Sequence, residues 1–207
     1  MTSPPVHIVV LAKAPRPGLA KTRLIPALGA HGAARLADRL LAHALRQALT
    51  ADLGPVELCR TPGGEAAWES IALPRDLRIS DQGGGDLGDR MARAAQRATA
   101  TGHPVLLMGS DCPALTAPRL RAMARALNGA DAVITPVSDG GYSALALRRY
   151  HADLFHQVPW STSTVTAITL ARARALGWTL HCMPTLHDID EPGDLAHLPG
   201  NWQSPAR

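Results

Sequence analysis

The chain has 207 residues, 46% hydrophobic and 18% charged, the balance of a globular protein with one sizeable core. Only 3% is aromatic, so Leu, Val, Ile and Ala must fill that core. The net charge of +4 is spread as single arginines, with no aromatic-interleaved basic stripe. This argues against nucleic acid as a partner and for an anionic small molecule.

The first predicted strand is the run VHIVVLA at 6–12. It empties into a loop carrying Lys13, Pro15, Arg16, Pro17, Gly18, Lys21 and Arg23. Two prolines limit the entropy lost when such a loop closes on a ligand, and Gly18 lets backbone approach closely. Four cations at the carboxyl end of a strand suit phosphate, with Arg23 as a planar fork and the lysines as point charges. The competing reading is a solvated basic loop.

A helix is expected over 31–51, where Leu36, Leu40, Leu41, Ala44, Leu45 and Ala48 recur at helical spacing. Strands follow at 56–60, ended by Gly63-Gly64, and at 77–80, with a short helix at 65–71 between them. A glycine-rich bend, Gly83-Gly84-Gly85-Asp86, opens a helix over 87–100. Such a bend suits close approach to a ribose or base, or is a loop with Asp86 as N-cap.

The run VLLMG at 105–109 reads as a buried central strand and leads into Ser110-Asp111-Cys112-Pro113. A carboxylate there points into the ligand crevice of an α/β sheet and suits Mg²⁺ or Mn²⁺, or else caps a turn. Thr116 is the expected cap of a helix to 127, with Pro118 in its first turn.

Strands at 132–136 and 142–147 flank Ser138-Asp139-Gly140-Gly141, which reads as room beside a ligand or as a hairpin turn. Trp160 precedes a helix at 163–176 and either stacks on a sugar ring or anchors its loop, with Ser161 or Thr162 as cap. A strand at 179–183 and a short helix at 191–198 close the pattern, and the segment after Pro199 reads as peripheral. Between them Asp188 and Asp190 alternate around Ile189 and share a face if extended. Asp190, before Glu191-Pro192, is the expected N-cap, leaving Asp188 freer to meet a metal.

Alternating strands and helices predict a single three-layer α/β/α domain over 1–207, Rossmann-like, with a mostly parallel sheet. Cys59, Cys112 and Cys182 stand apart without CxxC spacing, which points to a reducing compartment, with Cys59 and Cys182 as small buried hydrophobes. The N-terminal apolar run is cut short by Lys13 and lacks a basic lead, and no apolar stretch approaches roughly 18 residues. A cytoplasmic protein off the membrane is expected. The histidines His181 and His187 with Cys182 do not read as a zinc site, because a strand separates their directions.

Taken in order, AKAPRPGLAKTRL, GGGDLGDRM, GSDCP, SDGGY, PWST and DIDEPGDL resemble the bacterial glycosyltransferase-like proteins associated with radical-SAM/selenodomain proteins, some linked to arsenosugar biosynthesis. The likeness spans Val6 to about Leu198, and it implies a GT-A-type nucleotide-diphospho-sugar transferase fold. More distantly the chain is similar to 2-phospho-lactate guanylyltransferases and molybdenum-cofactor nucleotidyltransferases.

The resemblance implies that Ala12, Lys13, Gly18, Lys21 and Arg23 hold nucleotide phosphates, with Lys13 and Arg23 also stabilising transition-state charge. It implies that Gly85, Asp86 and Leu87 line base and ribose, and that Asp111 is the principal Mg²⁺ or Mn²⁺ ligand and a catalytic residue. Asp188 or Asp190 would add a second metal contact. Asp139, Gly140, Gly141, Tyr142, Trp160 and Ser161 would face the sugar or acceptor. The implied activity is metal-dependent glycosyl transfer from a nucleotide sugar to a small-molecule acceptor. Nucleotidyl transfer from an NTP to a small phosphorylated metabolite is the alternative, because the Asp-x-Asp of GT-A enzymes is here Ser110-Asp111-Cys112, with one carboxylate.

Overall fold

The structure, a computed structural model, describes residues 4–61 and 65–202. The predicted break at Gly63-Gly64 lies outside them.

Seven strands form one sheet in the order β3-β2-β1-β4-β6-β5-β7. They are β1 (His7–Ala12), β2 (Val56–Arg60), β3 (Arg78–Asp81), β4 (Val105–Gly109), β5 (Ala132–Pro136), β6 (Tyr142–Leu147) and β7 (Leu180–Cys182). Every pairing is parallel except those of β6 with β4 and β5. The sheet is therefore mostly parallel, as predicted, with β6 inverted by the tight turn after β5.

Four helices cover it: α1 (Ile25–Ala51), α2 (Leu87–Thr99), α3 (Ala117–Ala126) and α4 (Val165–Ala175). Successive strand residues point to opposite faces. Ile8 and Val10 pack with Leu41 and Leu45 of α1 and Leu120 and Met123 of α3. Val9, between them, packs with Met91, Ala94 and Ala95 of α2 and Ala173 of α4. This two-sided burial explains why β1, β4 and β5 are nearly unbroken apolar runs.

Several local expectations are corrected by tertiary contacts. The first long helix starts at Ile25 rather than residue 31, with a break at Gly29, where φ is +68°. Thr116 takes the extended N-cap conformation of α3 but makes no side-chain cap bond; Gln47 Oε1 accepts from the Ala117 N–H instead, at 2.8 Å. The segment expected as a helix at 65–71 is a 3-10 turn, Glu65–Ala67, and the last helix is a 3-10 turn, Pro192–His197. Cys59 is buried as expected, but Cys182 is exposed, on edge strand β7.

A carboxylate sits inside this core. Glu57 on β2 is 4% exposed. Burial pushes its carboxyl up, but contacts from His7, Ser80 and Arg97 outweigh it and bring the pKa down to about 2.

Candidate functional site

The site grows from the carboxyl ends of adjacent strands. Leu11 of β1 pairs with Gly109 of β4, so the loops after Ala12 and Gly109 leave the sheet side by side. β6 runs the other way, so its first residue, Tyr142, lies at the same end. Here lies a cleft of about 460 Å³, whose lining includes Ala12, Lys13, Lys21, Leu87, Ser110, Asp111, Tyr142, Ser161, Asp188 and Asp190. This is where open α/β sheets take their ligands.

The first loop is tied down by its own cations. Arg16 donates from Nε to Ala67 O at 2.8 Å and from Nη2 to Ala66 O at 3.1 Å, which ties the loop to the 3-10 turn after β2. Gly18 has φ +78° and open space around its Cα. Lys21 adopts a left-handed backbone, φ 50° and ψ 42°, which turns its side chain inward. Only 5% of that side chain is exposed, and its Nζ lies 2.9 Å from Asp111 Oδ2 and 3.4 Å from Asp190 Oδ1. Arg23 pairs from outside, Nη1 to Asp190 Oδ2 at 2.8 Å. Lys13 is exposed at the rim.

The segment after β7 brings the late aspartates in. It first follows the sheet, with Met183 N donating to Ile134 O and Leu186 N to Pro136 O. It then crosses to the loop after β4, where Ile189 N donates to Asp111 O at 3.0 Å and Cys112 Sγ to His187 O at 3.3 Å. Ile189 is fully buried, and the residues on either side of it point into the cleft.

Asp190 is not the helix cap expected from its position before Glu191-Pro192. The cap is built in reverse, with Asp194 Oδ2 accepting from the main-chain N–H of Asp190 at 3.0 Å and of Glu191 at 2.7 Å. The Asp190 carboxylate is released to Lys21 and Arg23. Asp188 is driven by its surroundings: burial first, then the negative charges of Asp139 and Asp111, raise its pKa to about 6.

Other predicted residues divide into wall and support. Asp86 caps α2 in a capping box with Asp89, and Gly85, at φ +88°, packs too close to Asp89 to accept a Cβ. Asp86 and Gly85 thus shape the bend, while Leu87 reaches the cleft. Asp139 Oδ1 accepts from Gly141 N at 2.8 Å, closing the β5–β6 turn. Gly140, at φ +90°, lies against the Ser163 main chain so closely that a Cβ would overlap it. The Trp160 ring meets Gly88 of α2 and stands edge-on to Tyr142, with ring centroids 6.3 Å apart. Thr162 Oγ1 donates to Pro159 O rather than capping α4.

The lining also holds residues to which motif reading gave no role: Thr61, Gln82, Arg90 and Ser143. Arg90 stands three residues after Leu87 and so shares its helix face, a signal present in the sequence. Gln82 is a polar residue at a strand end before a glycine run, which is a weaker one.

A divalent cation fits these residues in one mode. Among the described residues no three His, Cys, Asp or Glu side chains form a cage for a metal ion. Asp111 and Asp188 do converge on the cleft, and their mutual repulsion favours a cation there. Mg²⁺ and Mn²⁺ commonly bind through one or two carboxylates with ligand phosphates completing the shell.

The same fold occurs in known structures. A provisionally assigned nucleotide-diphospho-sugar transferase from Desulfovibrio desulfuricans G20 is 28% identical, with a TM-score of 0.88 over 100% of this chain and 90% of that one. A 4-diphosphocytidyl-2C-methyl-D-erythritol synthase from Anaerococcus prevotii is 10% identical, with a TM-score of 0.66 over 98% of this chain and 100% of that one. Rv0371c from Mycobacterium tuberculosis, in complex with manganese, is 18% identical, with a TM-score of 0.53 over 94% and 97%. No functionally curated protein matches the sequence. The model of a bacterial family described as an uncharacterized protein conserved in bacteria (DUF2064) matches residues 44–162, more than half of the chain, and the chain belongs to that family.

Proposed function

We propose that this chain is a metal-dependent transferase, acting from 1–207 as a single domain, that moves a glycosyl group from a nucleotide sugar to a small-molecule acceptor. The observation that carries the reading is the buried Lys21 ammonium between Asp111 and Asp190 at the carboxyl ends of β1 and β4. Charge of both signs is concentrated where a diphosphate with its counter-ion would lie. The likeness to the Desulfovibrio nucleotide-diphospho-sugar transferase supports the choice of donor. The order of the six motifs supports the radical-SAM/selenodomain-associated branch. The unpaired cysteines support a cytoplasmic location, and among the described residues no helix is long and apolar enough to cross a membrane.

In this reading Lys13, Lys21 and Arg23 offset the charge of the phosphates, with Ala12 and Gly18 allowing close approach. Asp111, with Asp188 or Asp190, would hold Mg²⁺ or Mn²⁺. The ion's chemistry is to neutralise the departing nucleoside diphosphate. Leu87 would bound the nucleoside, with Gly85 and Asp86 shaping the bend before it. Tyr142 and Ser161 would bound the sugar or acceptor, with Asp139, Gly140, Gly141 and Trp160 fixing that wall.

Nucleotidyl transfer to a small phosphorylated metabolite is the second reading, favoured by the single carboxylate of Ser110-Asp111-Cys112. Two incubations separate them. Slow release of nucleoside diphosphate from a nucleotide-sugar panel with Mn²⁺ is expected for glycosyl transfer. Pyrophosphate release from an NTP with Mg²⁺, and no hydrolysis of any nucleotide sugar, would establish the second reading instead.

A further inference from the structure

Gln82 is the residue in the cleft wall whose geometry goes furthest beyond its motif. It follows β3 directly and is 4% exposed, yet it lines the cleft with Leu11, Ala12, Thr61, Leu87 and Met91. Its main chain is clamped on both sides. The N–H donates to Arg60 O at 2.7 Å, and the carbonyl accepts from Arg93 Nε at 3.0 Å and Nη2 at 2.8 Å.

Its side chain is clamped as well. Nε2 donates to Ala12 O at 3.2 Å and to Cys59 O at 2.9 Å, the carboxyl-end regions of β1 and β2. An amide nitrogen has two hydrogens, so both are spent. Two carbonyl partners also fix which amide atom is nitrogen, because an oxygen placed there would face two other oxygens. Oε1 is left over, with no hydrogen-bond partner among the described residues.

A carbonyl on the cleft wall held at this many points costs little to organise and much to leave unpaired when a ligand seals it from water. We propose that Gln82 Oε1 is the specificity element for the nucleobase, selecting bases that carry an amino group (adenine, cytosine or guanine) against uracil. This rests on the nucleotide reading of the cleft. An amino group offers the N–H that a fixed acceptor requires. The only N–H on the pairing edge of uracil, N3–H, lies between two carbonyl oxygens, which a lone acceptor repels. A free glutamine amide would answer one of those oxygens with its own NH₂. Here the NH₂ is committed to Ala12 and Cys59, so that bidentate match is closed.

The test is calorimetric affinity of the unaltered protein for ADP, CDP, GDP and UDP with Mn²⁺, with inorganic pyrophosphate as a base-free probe. At least one amino-bearing diphosphate is expected to bind about tenfold tighter than UDP, the scale of one net hydrogen bond. In Gln82→Leu that ratio should fall to near unity while pyrophosphate affinity is unchanged, which shows that the variant is folded. UDP binding as tightly as the other three, or an undiminished ratio in the variant, overturns the proposal. Binding of pyrophosphate with no gain from any nucleoside also overturns it, while leaving the phosphate site standing. Binding of none of the five refutes the nucleotide reading itself.

Discussion

Replacing Lys21 with Met keeps the length and most of the apolar stem of the side chain and removes only its charge. The ammonium it removes is nearly sealed from water and touches two carboxylates, Asp111 at 2.9 Å and Asp190 at 3.4 Å. Breaking a fully buried ion pair costs about 3–5 kcal/mol, because the remaining charge is stranded. Asp111 and Asp190 are 47% and 38% exposed, so water answers part of the stranded charge, and the expected loss is about 1–2 kcal/mol. For a chain of 207 residues that is a fall in Tm of about 3–6 °C. Thermal melts at low ionic strength, where screening is least, measure it. Mn²⁺ should then raise the Tm of Lys21→Met by more than that of the parent, since the freed carboxylates accept the ion without competition from the ammonium. An unchanged Tm, or a Mn²⁺ shift no larger in the variant, would refute the assignment of Lys21 as the charge that holds these carboxylates together.

Two further outcomes follow from the same wall. Asp188 has its pKa raised to about 6, chiefly by burial and then by Asp139 and Asp111, so its contribution to stability is full below the ordinary value of 3.8 and is lost as pH rises through about 6. Asp188→Asn should therefore be more stable than the parent at pH 7 by about 1–2 kcal/mol after allowance for its partial exposure, with the advantage vanishing near pH 4; equal urea midpoints for both proteins across that range would contradict this. Gly140→Ala combines a positive φ with overlap against the Ser163 main chain and should cost about 2–5 kcal/mol in chemical denaturation, whereas Gly177→Ala, also at positive φ but in open space, should cost only about 1–2 kcal/mol.

The order of strands and helices was legible in the sequence because the sheet is buried on both faces. Runs such as VHIVVLA and VLLMG have no other use in a chain of this composition, and α1 carries its own apolar period. The place of the first loop at the cleft was legible too, since it follows directly on the first apolar run and leaves the sheet at its carboxyl end. What each charged side chain touches was not. Asp190 has the sequence context of an N-cap, but it pairs with Lys21, 169 positions away, and Asp194 caps in its place. Trp160 lies behind the wall because Gly88, on α2, leaves room for its ring. Gln82 looks like one more polar loop residue until β1 and β2 bring two carbonyls to its amide and leave a single oxygen over. Backbone propensity and hydrophobic period act over a few residues and are written in order along the chain. The partner of a buried charge or amide is chosen by desolvation, which acts only once distant strands have closed around it.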